Sequence, residues 1–426
     1  MKSSMLEINS PVHTGPEKLL AIKKRALMPC VYHFYKDPPQ IVSGSGCMLT
    51  DHTGREYLDC YSGVSVMNAG HCNPAIIEPT IDQIRTLQHT TTIYLTEPIL
   101  RLAERLAQLT PGGLCRSFFC ASGSEATEGA MALATRHTQR PGIIGFDNAL
   151  HGRTRWAMNA TGLDMWRGDS FPLPDVHHAR FGEIDNLKKF VNEHPGEIAA
   201  IIVEPIQGNG GIIVPPYEFL SQVRVLCDEH GIMLIFDEIQ SGFNRTGRWF
   251  ACEHFGVVPD IMCVSKALGN GFPIAGFIAT ENVAQSHNTP GASTYGGNPV
   301  CATAALATLD YHESNDLGAN AIARGQQLRR ALDGFAERFD WIATPRGLGL
   351  MLGLPIIESK DQSPDPTQCD ALLEALKDRG VLAGKTGAGR NVLTFMPPLI
   401  IDEPQISTLI NAIEESILQL TPSNPI

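Results

Sequence analysis

The 426-residue chain has no Cys-x-x-Cys pair, and its eleven cysteines fall singly between Cys30 and Cys369. That argues against a disulfide framework or a zinc site and points to free thiols in a reducing cytoplasm. Long apolar runs are also missing. Stretches such as "AAIIV" and "IMLIF" are too short to span a bilayer. The N-terminal "MKSSMLEINSPVHTGPEK" lacks the apolar region of a signal peptide. Basic residues are in deficit: 33 Lys and Arg face 45 Asp and Glu, for a net charge of -12. This balance argues against nucleic acid or an anionic membrane surface as a partner, while leaving room for a small anion in a local cationic pocket. No internal repeat or long low-complexity tract occurs.

What remains is 43% hydrophobic and 18% charged, an ordinary globular composition. The length favours one large domain with a smaller companion. The first 50 or so residues are irregular, and "GCMLTDHTGREYLDCYSG" reads as a hairpin turning at Asp51 to Gly54. From about residue 75, short apolar runs alternate with helical patterns. Strands are expected at 116–121, 142–147, 199–205, 232–238, 261–266 and 275–280. A helix follows the first of them at "GSEATEGAMALATRHT", and another lies in "PYEFLSQVRVLCDEHG", which ends at glycine. This rhythm implies an α/β fold with a mainly parallel sheet covered on both faces. The C-terminal part reads as α+β, with helices near 316–336, 366–379 and 403–419. The expected division is 1–74 as an N-terminal contribution to the small domain, 75–315 as the large domain and 316–426 as the rest of the small one.

Three strand ends carry residues with chemical potential. "CASGSEATE" places Ser-Gly-Ser between a strand and a helix, where backbone N–H groups and the helix N-terminus favour a phosphate. The same residues also suit a plain helix cap. Asp237 ends "LIFDE", so its carboxylate needs a partner or serves as a helix cap. Lys266 ends "IMCVSK" just before a glycine-rich turn. By itself it reads as a lysine with a buried stem and a solvated amine. Together, a phosphate cradle, a strand-end carboxylate and a strand-end lysine at the carboxyl edge of one sheet match the needs of pyridoxal 5'-phosphate.

The segments "GHCNP", "FFCASGSEATE", "HGRT", "EPIQGNGG", "DEIQSGFNRTG", "SKALGNGFP" and "TYGGNP" occur in the order and spacing of the class-III, fold-type I pyridoxal-phosphate aminotransferases, which the chain resembles over nearly its whole length. The resemblance implies that Lys266 forms the Schiff base and that Asp237 partners the pyridine nitrogen. It places Gln240 near the ring hydroxyl, Ile239 and the Leu150–His151 segment beside the ring, and Gly123 and Ser124 at the phosphate. It further implies that Thr294 reaches the phosphate of a neighbouring subunit, making the protein a homodimer with shared sites. It implies no metal.

Three positions depart from the family pattern. Leu150 stands where an aromatic residue commonly stacks on the ring. Asn209 replaces a glutamate, and Thr394 replaces an arginine that grips the substrate carboxylate. In ω-aminotransferases that glutamate and arginine form a switch between amine and 2-oxoglutarate. Other candidate anion ligands are Arg153, Arg155, Arg167 and Arg346. Loss of both switch residues leads to the favoured expectation, an ammonia-lyase acting on a small amino alcohol, such as 2-amino-1-hydroxyethylphosphonate giving phosphonoacetaldehyde. The alternative is an aminotransferase of ω-amino acid:pyruvate or alanine:glyoxylate type. A cofactor-binding protein without turnover is a third reading, disfavoured by the intact Lys266 and Asp237. In both enzymatic readings the substrate is a small amine, with Arg153, Asn209 and Thr394 as its expected contacts.

Overall fold

A computed structural model of the chain describes residues 14–167 and 172–421. Residues 1–13, most of the "MKSSMLEINSPVHTGPEK" stretch, lie outside the described residues. The centre is a seven-stranded sheet. Its strands are β1 (Leu114–Cys120), β2 (Gly142–Phe146), β3 (Val176–Ala179), β4 (Ile198–Val203), β5 (Met233–Asp237), β6 (Ile261–Val264) and β7 (Ala275–Thr280). They lie in the order β1-β7-β6-β5-β4-β2-β3. β7 runs antiparallel to β1 and β6, and every other pairing is parallel.

The continuous apolar runs follow from burial on both faces. Ile201, Val203, Leu234 and Phe236 point into one hydrophobic cluster, while Ala200, Ile202 and Ile235 enter another. Alternate side chains therefore serve opposite layers of helices. The Gly123–Thr138 helix covers one face with Ala126, Ala130, Met131 and Ala134. Its start is fixed by Ser122, whose Oγ accepts from Glu125 N at 3.3 Å, and its end by Gln139 in the left-handed region. The Phe219–His230 helix lies over the other cluster and stops at Gly231, also left-handed.

The two ends of the chain build the remainder. Ile41–Ser45, Met48–Asp51 and Glu56–Asp59 form a meander joined in parallel by Val381–Leu382 from the far end. Asp51 closes the hairpin turn by accepting from Thr53 N and Arg55 N. A second four-stranded sheet combines Arg346–Leu348, Met351–Pro355, Val392–Phe395 and Gly384–Thr386, backed by the Pro366–Asp378 and Glu403–Leu420 helices. Arg245 ties these parts to the centre. Fully buried, it donates to the carbonyls of Leu350 and Pro397, at 3.0 and 2.7 Å, and to Asn68. No helix among the described residues is long and apolar enough to cross a membrane.

Candidate active site

The β1, β2, β4, β5 and β6 strands run the same way, so their carboxyl ends share one edge of the sheet. The residues that follow them enclose a cavity of about 260 Å³. Gly123 and Ser124 come from the segment after β1, Leu150, His151 and Arg153 from that after β2, and Glu204 and Asn209 from that after β4. Asp237, Ile239 and Gln240 come from the end of β5, and Lys266 from just beyond β6. The candidate residues are therefore brought to one place, except for Thr294, Thr394 and the arginines Arg155, Arg167 and Arg346.

Asp237 is 4% exposed. One carboxylate oxygen accepts from Ile239 N at 3.1 Å, and the other accepts from His151 Nδ1 at 2.8 Å. Because an ionised carboxylate can only accept, the proton of this pair sits on Nδ1. Nε2 of the same ring is buried and without a partner among the described residues. Thr161 Oγ1 accepts from His151 N at 3.0 Å, and Thr127 Oγ1 donates to the His151 carbonyl at 2.7 Å, which fixes the ring's position.

Lys266 opens a short 3₁₀ turn at φ 42°, in the left-handed region. Its side chain borders the cavity, and burial pushes its amine down to about 8 from 10.5, although the carboxylates of Asp237 and Glu204 favour the charged form. Glu204 stands in the "EPIQGNGG" motif, where nothing in the sequence marks a role for it. It is buried, and accepts from Leu150 N at 2.8 Å and Gly208 N at 2.9 Å, clasping the segments after β2 and β4. Burial pushes its carboxyl up to about 7; nearby His151 opposes the shift and Asp237 adds to it.

Glycines shape the floor. A Cβ on Gly208 would stand 1.7 Å from Gln240 Oε1, and one on Gly123 would stand 2.9 Å from Ile239 Cδ1. Arg153 N donates to Ser124 Oγ at 2.9 Å, joining the helix start to the segment after β2. The space thus brings together the apolar side chains of Ile239 and Leu150, a helix N-terminus, a strand-end carboxylate and an amine of depressed basicity. That donor set fits pyridoxal 5'-phosphate.

The class-III aminotransferase family model matches residues 35–417. The chain belongs to the class-III aminotransferases. Like other members of that family, this aminotransferase is a pyridoxal-phosphate-dependent enzyme of fold-type I. It is 39% identical to the acetylornithine aminotransferase of Methanocaldococcus jannaschii over 90% of this chain and 94% of the relative. It is 36% identical to the mitochondrial alanine–glyoxylate aminotransferase 2 homolog 2 of Arabidopsis thaliana, over 96% and 90% of the two chains. Among solved structures, a phospholyase from Arthrobacter in complex with phosphoethanolamine shares 30% identity at a TM-score of 0.88, covering 95% of this chain and all of that one.

Other expected residues of the aminotransferase lie elsewhere. Thr394 is fully buried, its hydroxyl 2.7 Å from Thr386 Oγ1, so it does not line the cavity. Of this hydroxyl pair Thr386 borders the aromatic-walled cavity described below, whereas Thr394, the expected substrate contact, does not. Thr294 is exposed and borders a separate cleft with Ala121 and Glu125. Arg155 is exposed, Arg167 is paired with Asp164, and Arg346 is half-buried beside Gly211; none lines the cavity.

A second cavity, of about 310 Å³, adjoins the first and shares Leu150, Trp166, Asn209 and Lys266 with it. Its aromatic wall, Tyr32, Phe34, Tyr61 and Trp166, was not identified from the sequence. The ring pairs Tyr32–Trp166, Tyr32–Phe34 and Phe34–Tyr61 have centroids 5.9, 5.7 and 5.8 Å apart.

Proposed function

We propose that the enzyme transfers an amino group from a small amine to a monocarboxylic keto acid, in the manner of ω-amino acid:pyruvate or alanine:glyoxylate aminotransferases. The observation that carries this reading is the absence of a charged pair at the two switch positions. Asn209 directs its amide to Gln240 Oε1 at 3.5 Å, and Thr394 is sealed against Thr386. Neither can hold or release a guanidinium when a dicarboxylic acceptor arrives. Similarity to the Arabidopsis alanine–glyoxylate homolog supports the same reading.

When bound, pyridoxal phosphate supplies the electron sink that acidifies the C–H beside the substrate nitrogen. Lys266 would hold it covalently, and once freed its Nζ takes that proton and returns it. Asp237, oriented by His151, would balance the charge of the ring nitrogen. Leu150 and Ile239 would flank the ring, Gln240 its hydroxyl, and Gly123 and Ser124 the phosphate. Arg153 and Asn209 border the substrate side. The ammonia-lyase expectation drawn from the sequence gives way here, because the relatives at 36–39% identity are aminotransferases. It survives as a second reading on Asn209 and the likeness to the phospholyase.

Incubation of the holoenzyme with a panel of amines and pyruvate, glyoxylate or 2-oxoglutarate tests this directly. Turnover should need a keto acid and favour the monocarboxylic ones. Catalytic ammonia release from 2-amino-1-hydroxyethylphosphonate without any keto acid would instead establish the lyase.

We further infer a homodimer in which Thr294 serves the other subunit's site. Ile93, Tyr94 and Leu95 are 82, 68 and 88% exposed, an apolar run that a second copy would cover, and His89 packs on Tyr295 beside Thr294. Sedimentation should show a dimer that Leu95→Asp weakens; a monomeric wild type would refute it. Eleven free thiols fit a cytoplasmic location.

A further inference from the structure

We propose that Arg390 anchors a carboxylate at the far end of the amino substrate. This inference rests on reading the aromatic-walled cavity as the substrate side of the active site. Besides Lys266, the cavity of about 310 Å³ is bordered by two basic side chains, Lys385 and Arg390, and by no carboxylate. Lys385 is 6% exposed and paired with Asp370. Arg390 has no ion pair among the described residues; its guanidinium lies 5.8 Å from the centre of the Tyr32 ring. A cation held over an aromatic face, beside an apolar wall and without a counter-ion, is suited to an anionic ligand.

Backbone geometry holds Arg390 in that position. Gly387 N donates to the Asn209 carbonyl at 2.9 Å, and Arg390 N donates to the Gly387 carbonyl at 2.9 Å. The loop bearing the arginine is therefore hydrogen-bonded to the segment that borders Lys266. Arg390 itself sits at φ 52°, a left-handed conformation that a non-glycine residue adopts only at a cost. Thr386 and Gly387 of the same loop also border the cavity. Leu150, Trp166 and Tyr32 add apolar surface to the same cavity. The substrate class that fits is an amine with a short apolar or aromatic body ending in a carboxylate. The amine points to Lys266, the body lies against Tyr32 and Trp166, and the carboxylate meets the Arg390 fork.

Calorimetric titration of the holoenzyme with 3-phenylpropanoate and with its neutral amide, 3-phenylpropanamide, reads the anchor without turnover. The carboxylate should bind roughly 10- to 100-fold more tightly. Arg390→Gln should abolish that preference, and Arg390→Lys should keep part of it. Equal affinities in the wild type would overturn the proposal, as would a preference that survives Arg390→Gln. If Arg390→Gln does not fold, the wild-type comparison and the partial loss in Arg390→Lys still decide. A holoenzyme that shows the preference but passes no amino group to any keto acid would refute the transfer reading and leave the anchor standing.

Discussion

Lys266 is the clearest place to test the electrostatics of the site. An ordinary lysine titrates near 10.5, whereas burial brings this amine to about 8. At pH 7 the neutral, nucleophilic fraction is then about 300-fold larger than for an ordinary lysine. The rate at which apoenzyme takes up pyridoxal phosphate, followed by the bound cofactor's visible absorbance, should climb with pH and reach half its maximum near pH 8. Asp237 favours the charged amine, so Asp237→Asn should move that midpoint lower. The same burial carries a stability cost. Between pH 8 and 10.5 the unfolded chain still holds a proton that the folded apoenzyme has released, so stability rises with pH across that window. The fall from 10.5 to about 8 corresponds to about 3 kcal/mol at pH 7. Lys266→Met should therefore stabilise the apoenzyme at pH 7 by up to about that amount, with the gain shrinking by pH 10. A reconstitution rate that keeps rising past pH 10, or a midpoint raised by Asp237→Asn, would refute the reasoning.

Glu204 titrates in the opposite sense. Burial raises its carboxyl from 4.5 to about 7, so between those values the folded state holds a proton that the unfolded chain has lost. Its contribution to stability is greatest below pH 4.5 and falls as pH rises through 7, so denaturant melts across that range should lose part of this slope in Glu204→Gln. The same variant should loosen the Leu150 and Gly208 segments and raise the dissociation constant for the cofactor. Gly208→Ala must displace Gln240, whose Oε1 would lie 1.7 Å from the new carbon. We expect a loss of about 1–3 kcal/mol in thermal stability and weaker cofactor retention on dialysis. Thr394→Val removes the hydroxyl pair with Thr386 and should cost about 1 kcal/mol while leaving the keto-acid preference unchanged.

The central sheet was largely legible because its strands are buried on both faces and bounded by glycine, capping residues and helical periodicity. The Gly123–Thr138 helix has the bounds read from "GSEATEGAMALATRHT" and begins at the cap that Ser122 supplies. β3 is different: "VHHA" lies at the sheet edge, is only partly buried and lacks an apolar run. The short strands near the C-terminus, such as Gly384–Thr386, are likewise too brief to show a period. Asp237 and Lys266 could be singled out because each ends an apolar run with a polar group. The aromatic wall could not, since Tyr32 and Trp166 meet only through tertiary packing. Arg390 lies close in sequence to Thr394, yet nothing in "GAGRN" signals that it borders a cavity while Thr394 turns into the core.

The most direct test is to locate the cofactor's covalent attachment. Borohydride reduction of the holoenzyme, followed by digestion and mass spectrometry, should place the cofactor on the peptide carrying Lys266, and Lys266→Ala should lose both the label and the visible absorbance. Labelling at another lysine, such as Lys385 in the adjoining cavity, or an absorbance that persists in Lys266→Ala, would contradict the account.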